Sequence, residues 1–365
     1  MLSKVLPRRS LPTLRSFSSA PVYVEYPGNI FVPTWTHVPI WNIYGAEKTY
    51  SSALQAFKDS EQTFQDGTFT IADFCSVSCK NTMHVVTKLV KDLRTRSNRE
   101  VLIHPTLLPN ANWNEYFKLA LSADYYGSLT YTFVSARPGG LWKQLFPSQH
   151  LNFIYANHSF MPISKMRVAA DTIWPTMSED PVIIRELRDT AAKDLDNILT
   201  FRGKEIKSGG RFCFDVLLDH HIPKLSCWRL LNDVVADFVA NGRITQEERA
   251  KMALRNYQRN DDIINEALDK HKSNWRVVHK ETVTSRFPAW GQYEIDKDAK
   301  KLARAYTEWL QEWTAGAILM NLAAARPQQE KQFIISDIYE ELFNRVSANP
   351  MPLDVQLYDF VLQKL

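Results

Sequence analysis

Residues 68–82 read TFTIADFCSVSCKNT, and this stretch joins a strand to a helix through a short loop. Phe69 to Ala72 carry the aromatic and β-branched residues of a buried strand. From Asn81 onward, apolar residues recur at helical spacing, at Met83, Val86, Leu89, Val90 and Leu93. A strand, a tight loop and a helix N-terminus together form the geometry that binds nucleotide-like ligands at the carboxyl edge of a parallel sheet.

The loop itself, Cys75 to Lys80, contains no glycine. Loops that wrap a cofactor commonly use glycine, because glycine adopts positive φ and lets the backbone approach the ligand closely. The whole chain is also poor in glycine, with 12 glycines against 18 prolines. The sequence therefore predicts the scaffold of a cofactor loop together with altered loop chemistry.

Composition bounds the class of protein. The chain has 365 residues and is 45% hydrophobic, which is enough for one large domain or two modest ones. Its formal charge of +4 is mild, and part of it lies near the N-terminus, which argues against a nucleic-acid binder with a basic surface stripe. The four cysteines have no zinc-ligand spacing, so no metal site is predicted. No apolar run reaches the ~18 residues of a membrane span.

Residues 1–20 have the composition of a targeting segment. They contain Lys4, Arg8, Arg9, Arg15 and five serines, and the first acidic residue of the chain is Glu25. A basic, serine-rich and acid-free N-terminus is typical of a mitochondrial presequence. The alternative is a disordered basic tail. We expect a mitochondrial location, and fold prediction starts after this segment.

Residues 21–45 are rich in proline and aromatic residues and have no clear periodicity. The aromatic residues are Tyr23, Tyr26, Phe31, Trp35, Trp41 and Tyr44. Aromatic side chains bury much area for little rotamer entropy, so they serve as anchors at interfaces. This extended arm packs either on the protein's own cap or on a partner, and the partners expected are other subunits of a mitochondrial assembly.

Further along, short apolar segments alternate with helical patterns. The strands predicted after residue 72 are 101–103, 129–134, 151–155 and 212–218. The accompanying helices are 47–63, 81–93, 113–121 and 180–201. The segment 212–218, FCFDVLL, is almost continuously apolar, as expected deep in a parallel sheet. This alternation predicts an α/β, doubly wound fold.

The second half of the chain is mainly helical. Helices are predicted at 225–258, 260–271, 299–325 and 334–347, with one strand at 275–278 and a short helix at the C-terminal tail. We therefore expect one domain over residues 46–365. Its α-helical cap is expected to consist mainly of 160–180 and 222–330.

Six short segments carry a recognisable order of motifs, namely 72–82, 106–114, 138–147, 152–164, 209–211 and 334–345. Their order resembles the SABATH family of carboxyl methyltransferases, which use S-adenosylmethionine and include salicylate, jasmonate and caffeine-pathway enzymes. Ala72 to Thr82, ADFCSVSCKNT, is similar to the family's A-D-L-G-C-S-S-G-P-N-T. Residues 138–147, PGGLWKQLFP, and 152–164, NFIYANHSFMPIS, resemble two of its later motifs. Residues 106–114, 209–211 and 334–345 follow the same order. The similarity runs from about residue 44 to 346.

The resemblance implies a class I methyltransferase fold, a mostly parallel Rossmann-like sheet flanked by helices, with an α-helical cap. It also implies site residues. For S-adenosylmethionine these are Asp73, Cys75, Ser78, Asn81, Leu107, Gly140 and Leu141. For the substrate pocket they are Gln55, His158, Met161 and Pro162. The resemblance implies no metal, and no catalytic acid or base is assigned.

Several of these positions depart from the family's residues. Cys75 and Cys79 replace the two loop glycines, Leu107 replaces the acid that binds the ribose, and Pro162 replaces the tryptophan that holds the substrate carboxylate. We therefore expect weak or absent cofactor binding and a non-catalytic, structural role in a mitochondrial assembly. The alternative is an active methyltransferase for a small-molecule carboxylate or similar nucleophile, because methyl transfer depends mainly on positioning.

Overall fold

The structure is a computed structural model that describes residues 24–26, 30–32, 46–74, 79–109, 111–166, 170–218 and 226–365. The predicted presequence, most of the aromatic arm and two predicted cofactor positions, Cys75 and Ser78, lie outside the described residues. Among the described residues, no helix is both long and apolar enough to cross a membrane.

The described strands form a small hairpin and one large sheet. The hairpin pairs β1 (Val24–Tyr26) with β2 (Ile30–Val32). The large sheet contains β3 (Phe69–Phe74), β4 (Val101–Thr106), β5 (Thr132–Val134), β6 (Leu151–Ala156), β7 (Ile206–Leu217), β8 (Trp275–Arg286) and β9 (Asp354–Lys364). Their spatial order is β5-β4-β3-β6-β7-β9-β8. The pairs from β5 to β7 are parallel, and β9 is antiparallel to both of its neighbours. The predicted mostly parallel, doubly wound sheet is confirmed.

Ten α-helices accompany the sheet in the described part of the chain. They are α1 (Tyr50–Thr63), α2 (Cys79–Arg94), α3 (Trp113–Ala120), α4 (Pro181–Glu205), α5 (Ser226–Ala240), α6 (Gln246–Lys251), α7 (Asp261–Lys270), α8 (Pro288–Asp296), α9 (Ala299–Asn321) and α10 (Gln328–Ala348). Helices α1, α2 and α3 pack on one face of the sheet. Helices α4 and α7 pack on the other face, and α5, α9 and α10 share a separate core that forms the cap.

The opening stretch folds as its pattern predicts. All six residues of β3 are buried. Helix α2 begins at Cys79, two residues before the expected start, and its apolar stripe at Met83, Val86, Leu89, Val90 and Leu93 is fully buried. The helix therefore lies against the sheet with its N-terminus beside the carboxyl end of β3.

The strand order reverses between β3 and β6. The chain moves outward from β3 through β4 to β5, then returns to β6 on the other side of β3 and continues outward to β7. At such a reversal, the carboxyl ends of the two central strands flank a crevice that neighbouring loops do not fill. The site is therefore expected at the ends of β3 and β6.

The crossover from β5 to β6 contains no helix in residues 135–150, so its buried backbone groups need other partners. Arg202 and Glu205, both fully buried, supply them from the last turns of α4. The Arg202 Nη2 and Nη1 atoms donate to the carbonyls of Lys143 at 2.9 Å and Leu141 at 3.2 Å. One carboxylate oxygen of Glu205, Oε1, accepts from the amides of Leu145 and Phe146. The Arg202–Glu205 ion pair therefore supports this crossover, which has no helix of its own.

The C-terminal tail, predicted to be a short helix, is strand β9, and that prediction was wrong. Phe360 and Leu362 pack on the α4 side of the sheet, whereas Val361 packs on the α1 side. Side chains that alternate between two faces follow the period of a strand. β9 fills the gap between β7 and β8, and its backbone is paired on both edges.

The cap also differs from its predicted limits. The span 222–330 contains α7 and β8, which belong to the sheet layers, whereas α10 extends the cap to residue 348. The predicted helix 225–258 is interrupted after Ala240, where Gly242 adopts a φ of +69°. The hairpin strand β2 lies beside α9, so this part of the aromatic arm lies against the cap.

Candidate functional site

Asp73 lies at the carboxyl end of β3, and its side chain is fully buried. Its Oδ2 atom accepts a hydrogen bond from the hydroxyl of Tyr126 at 2.6 Å. Tyr126 begins a short 3₁₀ turn after α3. The hydroxyl of Thr106, at the end of β4, donates to the backbone carbonyl of Asp73 at 3.2 Å. The end of β3 is therefore held by groups from both β4 and the α3 region.

Two asparagines continue this polar edge across the strand reversal. Asn81 lies in the first turn of α2, and its Nδ2 atom is 3.5 Å from Oδ1 of Asn157. Asn157 directly follows β6, and its side-chain amide donates to Oδ2 of Asp215 on β7. Both asparagines are buried. These contacts connect the N-terminus of α2 with the ends of β6 and β7.

His158 shares the same carboxylate. Its backbone amide donates to Oδ1 of Asp215 at 2.6 Å, and its ring Nδ1 lies 3.1 Å from that oxygen. Burial alone lowers the pKa of an imidazole, but the charge and hydrogen bond of Asp215 outweigh this effect and raise the pKa of His158 above its ordinary 6.5. His158 is therefore an imidazole held beside a buried carboxylate at the carboxyl edge of the sheet.

A second carboxylate lies behind Asp215. Asp359 on β9 is directly opposite Asp215 in the strand register, and it accepts a hydrogen bond from Ser52 of α1. The ring Nε2 of His279 on β8 lies 3.3 Å from Oδ2 of Asp359. Burial raises the pKa of Asp359 to about 6, with Asp215 acting in the same direction, whereas the bonds from Ser52 and His279 lower it. The network therefore runs from the site across β9 to His279 on the edge strand β8.

The predicted cofactor residues are only partly brought together. Asp73 and Asn81 lie at the crevice, as described. Leu107 is instead buried in the core on the α2 side, and its carbonyl accepts from the amide of Gly139 at 2.7 Å. Gly140 is buried, and Leu141 is half-buried with its carbonyl bonded to α4. Leu107 therefore provides packing here rather than an acceptor for a ligand.

The predicted substrate residues are also divided. Met161 and Pro162 are half-buried and pair with residues 255–257; the amide of Tyr257 donates to the carbonyl of Met161 at 2.9 Å, and Pro162 is bridged to Asn256. Gln55, predicted for the substrate pocket, has an exposed side chain whose amide donates to Asp59 at 2.8 Å, and its role in the pocket stays a prediction. The face of α1 that meets the sheet carries Ser52, Ala53 and Ala56 instead.

Three residues of this site were missed from the sequence, namely Tyr126, Asn157 and Asp215. The local sequence could have identified Asp215, because it is the single charged residue in the apolar strand FCFDVLL. A buried charge requires a partner, so it marks a position worth testing. Asn157 lies inside a motif that was recognised but was not assigned a role. Nothing in the local sequence distinguishes Tyr126.

In the described part of the chain, neither metal nor thiol chemistry has a candidate; the side chains of Cys75 and Cys79 lie outside it. Among the residues that the structure describes, no three His, Cys, Asp or Glu side chains are arranged to hold a metal ion. Cys213 and Cys227 are buried free thiols. Burial raises the pKa of both, to about 12 for Cys227, so neither is a thiolate at neutral pH.

Comparison with known proteins assigns the family. The family model described as SAM dependent carboxyl methyltransferase matches residues 43–351. The chain belongs to this family. The strand reversal with its buried polar side chains lies where open α/β sheets bind their ligands.

Individual relatives agree with this assignment. The chain is 21% identical over 263 residues to a probable caffeine synthase of Coffea canephora, covering 65% of this chain and 68% of that one. It is 27% identical over 216 residues to a benzoic acid/salicylic acid carboxyl methyltransferase of Petunia hybrida, covering 53% and 60% respectively. The solved structure of a loganic acid methyltransferase with SAH superposes with a TM-score of 0.68 at 14% identity, covering 89% of this chain and 94% of that one. That likeness shows the class I methyltransferase fold.

The interpretation of this chain as a non-catalytic subunit is contradicted. The family match covers most of the chain, and the relatives are described as methyltransferases or a synthase. Nothing in these findings supports a structural role in an assembly, and the alternative reading as a methyltransferase fits them better. They bear on neither location nor partners, which stay predictions.

The chemical types of the side chains at the crevice suit S-adenosylmethionine. Asp73, Asn81 and Asn157 present a carboxylate and two amides beside a helix N-terminus, which suits a ligand with amino, hydroxyl and carboxylate groups. Leu107 contributes no acceptor, so the ribose hydroxyls have to be bound by other groups. The predicted loss of cofactor binding has no support from the family assignment.

Proposed function

We propose that this protein transfers a methyl group from S-adenosylmethionine to the carboxylate of a small molecule. The observation that carries the proposal is the family match across residues 43–351. The buried polar groups that meet at the strand reversal support it, because they lie where an open α/β sheet binds its ligand.

The reaction requires positioning more than acid–base chemistry. The cofactor, when bound, supplies a methyl group on a positively charged sulfur. With the cofactor bound, a carboxylate oxygen of the substrate would take the methyl group, the C–O bond forming as the S–C bond breaks and the electron pair of that bond staying on sulfur. No proton has to move. Asp73, Asn81 and Asn157 are assigned to cofactor binding, and His158 to the substrate side.

The test is methyl transfer from labelled S-adenosylmethionine to a panel of acids comprising benzoic, salicylic and loganic acids, with xanthines as nitrogen nucleophiles. We expect a methyl ester from at least one acid, and no product from its amide, which lacks the anionic nucleophile. Methylation of xanthines alone would replace this proposal with N-methyl transfer. No transfer to any compound, with protein that is folded by circular dichroism, would contradict it.

We also propose that the enzyme acts in mitochondria, on the basis of the basic, acid-free residues 1–20. The expected result is recovery in the mitochondrial fraction with a mature N-terminus near residues 18–22, where the acid-free stretch ends. An N-terminus at Met1 in protein from mitochondria would contradict cleavage. Recovery in the cytosol alone would contradict import.

A further inference from the structure

The substrate side of this site needs a group that binds the carboxylate of the substrate. Pro162 has no backbone N–H to donate, and Gln55 faces solvent on α1. Of the four residues predicted for the substrate pocket, His158 is the one that can carry a positive charge. A carboxylate that leaves water needs a charged or strong hydrogen-bond donor at its binding site.

Asp215 fixes the orientation of His158 in three ways. Its Oδ1 atom accepts from the backbone amide of His158 at 2.6 Å and contacts ring Nδ1 at 3.1 Å. Its Oδ2 atom accepts from Asn157, the preceding residue. His158 has a φ of +53°, a left-handed conformation that these contacts hold. With Nδ1 donating to Asp215, Nε2 is the ring nitrogen directed away from that carboxylate.

The surroundings also favour a charged imidazole. The side chain of Asp215 is 1% exposed and that of His158 is 11% exposed, so their interaction is weakly screened by water. The other titratable groups packed near Asp215 in the described residues are Tyr155, Asp359 and, beyond Asp359, His279. Together with the raised pKa of His158, this arrangement favours the imidazolium form, which can donate a hydrogen bond to an anionic ligand.

We propose that His158, oriented by Asp215, binds the carboxylate of the substrate through Nε2, so that Asp215 is a positioning residue for substrate binding. This inference rests on the proposed function, since it assigns the group that recognises the carboxylate in that reaction. The same assignment favours an anionic substrate over a neutral one. A protonated imidazole is a poor base for removing a proton from a neutral nucleophile.

The test is calorimetric titration of the SAH-loaded protein with benzoate and salicylate, with benzamide as the uncharged match, from mildly acidic to mildly alkaline pH. The imidazolium is present below the raised pKa of His158, so acid binding is expected to decline as pH rises through a value above 6.5. The NMR titration of the His158 ring should give the same pKa. Benzamide binding should show no such decline.

Two variants separate the roles of the pair. His158→Asn tolerates the left-handed backbone but carries no charge, and it should weaken acid binding about tenfold to a hundredfold at mildly acidic pH. Asp215→Asn should lower the pKa of His158 and move the decline in acid binding to lower pH. The control is His271→Gln, which removes a comparable His–Asp pair, Nε2 to Oδ1 of Asp196 at 2.7 Å, away from this edge. It should leave acid binding unchanged.

Three outcomes would overturn the inference. The first is acid binding that strengthens with rising pH, which would make His158 a base. The second is His158→Asn binding benzoate and salicylate as tightly as the wild type. The third is failure of the wild type to bind either acid at any pH. If methyl transfer to the acid panel persists in these cases, the proposed function stands and only the role of His158 fails.

Discussion

Arg202→Ala is expected to lower the free energy of unfolding by about 3–5 kcal/mol, since it leaves Glu205 as an unpaired buried charge. Both side chains are fully buried, and the Arg202 Nε–Glu205 Oε2 distance is 2.6 Å. The variant also leaves the carbonyls of Leu141 and Lys143 without their donor. The guanidinium carbon lies 4.5 Å from the ring centre of Phe74, so packing at the end of β3 is lost as well.

The measurement is urea unfolding followed by circular dichroism and tryptophan fluorescence. Glu205→Gln should be milder than Glu205→Ala, because the amide oxygen still accepts from the backbone of Leu145 and Phe146. The control is Arg345→Ala, which removes surface pairs with Glu341 and Asp237 and should change stability by under about 1 kcal/mol. A loss from Arg202→Ala no larger than that of the control would show that the crossover does not depend on this pair.

The second large effect is expected for the cofactor. Asp73→Asn should weaken binding of S-adenosylhomocysteine about tenfold to a hundredfold, the size of a lost hydrogen bond to a charged group. The asparagine keeps the volume of the side chain and an oxygen that accepts from Tyr126. The fold should therefore persist while the charge at the crevice is removed, and calorimetric titration with the cofactor product measures the change.

Tyr126→Phe provides the matched variant for this prediction. It deletes the hydroxyl that bonds Asp73 at 2.6 Å and leaves the carboxylate in place. We expect it to lower the unfolding free energy by about 1 kcal/mol, as for one buried hydrogen bond, with a smaller effect on cofactor affinity than Asp73→Asn. Equal losses of affinity in both variants would mean that Asp73 acts only by holding the local structure.

Local patterns determined much of the architecture. The apolar run of β3 and the helical spacing of Met83, Val86 and Leu89 are properties of neighbouring residues, and they predicted a buried strand followed by α2. The same reasoning located most strands and helices. The ordered motifs around 138–147 and 152–164 led to the right family, because they depend on residue types and spacing along the chain.

Other features arise only when distant segments pair. The C-terminal tail became a strand because β7 and β8 both offer it backbone partners, which its own sequence does not reveal. Gln55 faces solvent because the rotation of α1 on the sheet is set by Ala53, Ala56 and Phe57, which are buried. The rotation of α1 about its axis cannot be inferred from an alignment of motifs.

The site depends most strongly on tertiary structure. His158 and Asp215 are 57 residues apart and meet because β6 and β7 are adjacent parallel strands whose carboxyl ends lie at one edge. The sequence determined that a histidine follows β6 and that an acid interrupts an apolar strand. Only the strand order decided that they share a hydrogen bond. The charge of the neighbouring Asp215 then raises the pKa of the imidazole, against the effect of burial.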